Sequence, residues 1–159
     1  MNETFAIQEI SKKNEGIDAL EKLMLDELPP ALEELTHTFT PELYSRTWKA
    51  KAGTIWVSRV HKTCHQFVIL EGALSVWIDG KETYYEAPYH GITKPGTRRI
   101  LYIFEDTTWV TFHSNPDNLN EDEIVELITE KHDNKLFSEE DKRLLAAIRS
   151  NIETKYLTT

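Results

Sequence analysis

His61 and His65 flank a short loop in the stretch Val60-His-Lys-Thr-Cys-His-Gln-Phe-Val-Ile-Leu-Glu-Gly72, which runs on into an apolar, glycine-ended strand. Imidazole nitrogen is the commonest protein ligand for zinc, iron, copper and nickel, and rigid strand ends can hold two such rings convergent. The chemistry indicated is binding of a divalent first-row transition metal, with Zn, Fe, Mn and Ni not distinguished. Taken alone, two histidines at this spacing read as solvated loop side chains. Cys64 lies between them, and a strand-turn geometry points its thiol away from theirs. No lysine or histidine is arranged as an activating base for it, so it reads as an unreactive thiol.

The elements around this pair are β. Tyr44, Arg46 and Trp48 alternate with Leu43, Ser45 and Thr47, and residues 55–60 continue in β-branched and aromatic types. Short strands follow at 67–70, 74–78, 83–85, 100–104 and 109–112. Turn signals separate them at Glu71-Gly72, Asp79-Gly80, Pro88, Gly91, Pro95-Gly96 and Glu105-Asp106. Asp79-Gly80 is the clearest, since a type I′ hairpin needs positive φ at both central positions. Many short strands at this spacing indicate a sandwich or small barrel rather than a parallel sheet.

Helical periods flank the β region. Ile17, Leu20, Leu23, Met24 and Leu28 form one stripe that Pro29-Pro30 terminates, and a second short helical turn is expected from Pro30 to about His37. Beyond Pro116, Asn120 reads as an N-cap with Glu123 completing a capping box and Ile124, Leu127 and Ile128 on one face. A second C-terminal helix, capped at 138–141, would present Leu144, Leu145, Ile148, Ile152 and Tyr156. The expected division is an N-terminal helical extension over 1–37, a β-barrel over 38–116, and C-terminal helices over 117–159 packed on the barrel or on a partner subunit.

Composition narrows the function classes. With 159 residues the chain can bury a real core, and a net charge of -9 disfavours nucleic acid or an anionic membrane as main partner. Local basic patches stay open, for example around Lys94, Arg98 and Arg99. A single cysteine excludes an internal disulfide. No apolar run approaches the roughly 18 residues of a transmembrane helix, and residues 1–5 lack a signal-peptide layout. The expected location is cytoplasmic.

The segment from Gly53 to His113 resembles the cupin superfamily, whose first motif holds a glycine, a His-x-His pair, a glutamate and a strand-ending glycine. Aligned on Leu70-Glu71-Gly72, His61 takes the place of the second histidine, Arg59 that of the first, and His65 that of the glutamate. The second motif resembles Pro95-Gly96-Thr97-Arg98-Arg99, with Arg99 in its histidine's place. The runs around Phe39, Gly53-Thr54, His61 to His65, Pro95 to Arg99 and Glu105 to His113 resemble more closely small cupin-like proteins encoded by bacteriophages and prophages. The resemblance implies a cupin-like antiparallel barrel or jelly-roll sandwich with a metal site at its mouth, and with the helical periods above the expected fold is mainly β with an N-terminal helix and two C-terminal helices. A superfold that hosts enzymes, regulators and storage proteins fixes no activity.

A hairpin turning about Asp106 would set Arg99 opposite His113 and bring His113 beside the last ligand position. The expected metal set is then His61, His65 and His113, with open coordination positions for water or ligand. Arg99, and Arg59 if it faces inward, would bind a small anionic ligand, a guanidinium fork suiting carboxylate or phosphate. Arg99 cuts both ways, since it either binds an acid next to the metal or replaces the metal altogether. His37, His90 and His132 read as surface residues, and Arg46 as an outward arginine. Three functions stay open: a metal-binding protein or enzyme of undetermined reaction, a metal-free anion binder, and a non-catalytic assembly or host-targeting module. A homodimer is expected from strand edges and amphipathic helices that one small barrel hardly covers.

Overall fold

The computed structural model describes residues 3–27 and 33–130, together with the isolated positions 143, 146 and 147. The chain begins with helices α1 (Glu3–Ile10) and α2 (Asn14–Glu27). Strands β1 (Glu33–Thr40), β2 (Leu43–Ala50), β3 (Ile55–Val57), β4 (Val60–His61), β5 (His65–Ile78), β6 (Lys81–Glu86), β7 (Tyr89–Thr93) and β8 (Ile100–Ser114) follow. Helix α3 (Glu121–Ile128) and strand β9 (Thr129–Glu130) come last. The main sheet runs β1-β2-β8-β5-β6, with β3 also on β8 and β7 also on β5, and β4 pairs separately with β9. All pairings are antiparallel.

Two long strands, β5 and β8, form the seam of the molecule. The first half of β5 pairs with β7 and the second with β6, while β8 stays beside it throughout. Register shifts between Ile69 and Leu74 mark a bulge there, and a bulge bends and twists the strand that carries it. Gly72 sits in it at φ +93°, where a Cβ would fall 2.5 Å from the Asp106 carbonyl oxygen. The turn signals at 71–72 and 105–106 are therefore two sides of one bulged seam. No hairpin turns about Asp106, and Arg99 is not the cross-strand partner of His113. That partner is Tyr44.

Other sequence expectations divide the same way. Asp79 and Gly80 both have positive φ, and Ile78 pairs with Lys81, as a two-residue hairpin requires. Asn120 and Glu123 form the expected capping box, with Ile124 and Ile128 buried and Leu127 about half exposed. Residues 33–37 are strand rather than helix. Thr36, Thr38 and Thr40 alternate with Leu35, His37 and Phe39, and β2 supplies a partner along the whole length. Residues 89–93 also form a strand instead of a turn at Gly91. A Cβ there would meet the Phe67 ring at 2.5 Å, so the glycine serves a close approach. The second C-terminal helix and His132 lie outside the described residues.

The N-terminal helices cover one face of the sheet. Ala6, Ile7, Ile10, Ile17 and Leu20 pack on Ile55, Val57, Trp77 and Ile100. Arg98 locks α2 in place, donating to Asp18 at 2.5 Å, Glu21 at 3.2 Å and the Asn14 and Ser58 carbonyls. The opposite face carries a second core of Trp48, Phe67, Ile69, Leu74, Val76, Leu101, Ile103 and Trp109. Among the described residues no helix is long and apolar enough to cross a membrane.

Candidate functional site

Strand register lays out the site. Tyr44 of β2 pairs with His113 of β8, and His65 of β5 pairs with Thr93 of β7. Because Gln66 pairs with Phe112, His65 and His113 are also neighbours across the β5–β8 seam. One step along, Arg46, Thr111, Phe67 and Gly91 line up on the same face. His61 arrives from β4, whose backbone is fixed by His61 N to Thr97 O at 2.9 Å and Gly96 N to His61 O at 2.7 Å. After three intervening residues the chain enters β5 at His65, so the short loop does place two rings together.

The three rings form a contiguous cluster. Ring centroids lie 4.9 Å apart for His61 and His65 and 4.3 Å for His65 and His113, and all three side chains are buried. The Tyr44 ring stacks on His113 at 5.6 Å and packs in turn against Ile124 and Ile128, so α3 closes this end. His37, expected at the surface, is instead half-buried, with Nδ1 at 2.8 Å from the Tyr44 hydroxyl and Nε2 at 3.3 Å from Glu121.

Burial keeps these imidazoles neutral. Desolvation, then the charge of Arg99, lowers His61 from 6.5 to about 2. Desolvation lowers His65 to about 4 against an opposing hydrogen bond to Thr63, and lowers His113 to about 3 with help from His65 and Arg46. Arg46 acts on all three rings, which places its charge on the site side of the sheet and not outward. The signal was the alternation of Tyr44, Arg46 and Trp48 on a single face.

Each ring has one nitrogen engaged and one open. His65 Nδ1 lies 3.3 Å from the Thr63 carbonyl, which only accepts, so Nε2 keeps its lone pair. His113 Nε2 lies 3.0 Å from the Thr111 hydroxyl. His61 Nε2 lies 3.3 Å from Arg99 Nη1; a guanidinium only donates, so the proton of the neutral ring sits on Nδ1. The remaining nitrogens, His61 Nδ1, His65 Nε2 and His113 Nδ1, are buried with no partner among the described residues. Buried polar atoms are paired in the great majority of cases, so three orphans on three touching rings mark a place for ligand atoms.

Arg99 is the charged member. Its backbone is pinned by Ser58, which exchanges hydrogen bonds with it through N and Oγ. Its guanidinium donates to Thr93 Oγ1 and lies 5.6 Å from the Phe67 ring centroid and 5.5 Å from that of Trp109. Desolvation lowers it to about 10, which leaves it charged at neutral pH. Among the described residues no carboxylate pairs with it. Arg59, the other expected anion ligand, is exposed and stands apart from this buried set, because its neighbours Ser58 and Val60 take the inward positions. Cys64 is exposed. Lys94 is exposed while Arg98 and Arg99 are buried, so that segment makes no basic surface patch.

The donor types fit a divalent first-row metal: His65 and His113 are neutral imidazoles with one nitrogen engaged and the other open, while His61 offers a lone pair only if Arg99 leaves its Nε2. The arrangement is not that of a formed site. Among the described residues no three His, Cys, Asp or Glu side chains are placed to hold a metal ion, and Arg99 occupies the His61 Nε2 lone pair.

No protein-family model and no curated protein matches the sequence. Solved structures do match the fold. Salicylate 1,2-dioxygenase from Pseudoaminobacter salicylatoxidans, in its gentisate adduct, aligns at 18% identity and TM-score 0.50 over 70% of this chain and 33% of its own. The Clostridium difficile EutQ protein aligns at 15% identity and TM-score 0.48, over 57% of this chain and 73% of its own. The Schizosaccharomyces pombe Cnp3 cupin domain aligns at 14% identity and TM-score 0.46, over 57% and 71%. The chain spans about a third of the dioxygenase. The fold is a cupin-like antiparallel β-sandwich of the jelly-roll kind.

Proposed function

We propose that this chain is a cupin-like protein of the phage and prophage kind that binds a small anionic molecule beside a divalent first-row transition metal. His61, His65 and His113 would hold the metal, and Arg99 would orient the anion. The observation that carries this reading is the cluster of three buried imidazoles, each with a nitrogen unpartnered among the described residues, beside a buried guanidinium that no described carboxylate neutralises. A buried cation without a counter-ion is costly, and a carboxylate or phosphate from a ligand would relieve that cost. When bound, the metal would supply Lewis-acid polarisation or an activated water. The protein's own part is to hold neutral rings in place through Thr63 and Thr111, to exclude water by burial, and to present a fixed positive charge through Arg99.

The contact of Arg99 with His61 favours a second reading, a metal-free pocket for an anionic metabolite. One experiment separates the two: elemental analysis of protein purified without a histidine tag or chelator, beside a His61→Ala/His65→Ala variant. Near-stoichiometric metal in the parent, lost in the variant, is the expected result. Parent protein that takes up no metal even on titration with divalent ions overturns the metal reading and leaves the anion pocket.

A further inference from the structure

Arg99 and a metal ion would compete for one lone pair. His61 has its Nε2 lone pair turned to Arg99 Nη1 at 3.3 Å, and its proton is on Nδ1. Ligation through Nε2 requires Arg99 to leave. Ligation through Nδ1 requires the proton to move to Nε2, where it would face a guanidinium that also only donates. With Arg99 seated, His65 and His113 can each turn a lone pair to a metal and His61 cannot.

Among the described residues the guanidinium is held there by neutral partners: the Thr93 hydroxyl, the His61 ring and the faces of Phe67 and Trp109. An ionised carboxylate or phosphate offers the guanidinium full charge attraction and a bidentate fit that a neutral imidazole nitrogen lacks, so an acid group would displace His61 from Nη1. It would also cancel the positive charge that opposes a cation in the same cluster.

We infer that Arg99 couples the two ligands: a carboxylate or phosphate group takes the hydrogen bond now given to His61 Nε2, and so frees that nitrogen for the metal. The inference rests on the metal-binding reading above and adds that anion and metal bind with positive cooperativity. Linkage makes the effect reciprocal, each ligand raising the affinity of the other by the same factor.

The test uses the full-length, chelator-stripped protein titrated with Co²⁺ and followed by visible absorption, in sodium acetate and in sodium chloride of equal ionic strength. Acetate is expected to raise Co²⁺ affinity about tenfold in the parent, within the usual range of allosteric coupling. In Arg99→Met, Co²⁺ affinity should already be raised in chloride and acetate should add nothing. Where Arg99→Met does not fold, Arg99→Gln serves, with the same loss of the acetate effect expected. Equal affinity in the two salts for the parent overturns the coupling and leaves the metal reading standing. An acetate effect of undiminished size in the Arg99 variant also overturns it, because the anion then acts on the metal without Arg99. Absence of Co²⁺ binding under every condition overturns the metal reading itself.

Discussion

Desolvation sets the protonation state of the three histidines, and their pH behaviour follows from it. Each has a folded pKa below the ordinary 6.5, at about 2 for His61, about 4 for His65 and about 3 for His113. Above pH 6.5 both folded and unfolded rings are neutral and nothing is lost. As pH falls below 6.5 the unfolded chain takes up protons that the fold refuses, so stability declines until the folded pKa values are reached. Three such rings give a slope of up to about 1.4 kcal/mol per pH unit each. The urea midpoint of metal-free protein should therefore fall between about pH 7 and pH 5, and fall less steeply by one proton in His113→Gln. Identical slopes in parent and variant would contradict the buried, neutral assignment. At this scale the sequence was readable where ligand type and strand parity agreed, as for His61, His65 and Arg99. The direction of Arg59 was not readable, because only the packing of Ser58 and Val60 shows which way that short segment turns.

The β5–β8 seam is the element on which the site depends, since it carries His65, Phe67, Trp109, Thr111 and His113. Its bend is set at Gly72, where positive φ and the approach of Asp106 and Thr107 both exclude a side chain. Gly72→Ala should cost about 2 kcal/mol or more, read as a lowered urea midpoint with unchanged slope. An unshifted midpoint would mean that the seam does not need this conformation. The bulge also explains a misleading sequence signal. Glu71-Gly72 and Glu105-Asp106 look like two turns because each is polar and strand-breaking, yet the register places Glu71 against Thr108 and Ala73 against Glu105 across one interrupted ladder. Polar residues are tolerated there because the bulge exposes them, with Asp106 accepting from Lys51 at 2.7 Å and from Ala52 N at 2.9 Å. His113 thus reaches the cluster through a continuous strand. The expected hairpin, which set His113 opposite Arg99, is not formed; the register sets His113 beside Tyr44 and His65 instead.

Across the whole molecule, charge is distributed against the trend of the composition. The chain carries a net charge of -9, while the face lined by the histidines holds the positive charges of Arg46 and Arg99. Such a field favours a small anion that can enter a buried site over an extended polyanion that must lie along an acidic surface. The alternation of strands and turns made the β architecture legible, and the capping box made α3 legible. Strand β1 was not, because a proline pair followed by a short mixed segment satisfies helix and strand rules alike until β2 supplies its partner. The central claim is that three histidines from β4, β5 and β8 act as one metal site. X-ray absorption fine structure of protein loaded with zinc in sodium acetate, where the anion engages Arg99, tests it most directly. Three imidazole nitrogens at about 2.0–2.1 Å are expected, reduced to two in His113→Ala. A spectrum without imidazole scattering, or one unchanged by the substitution, would contradict it.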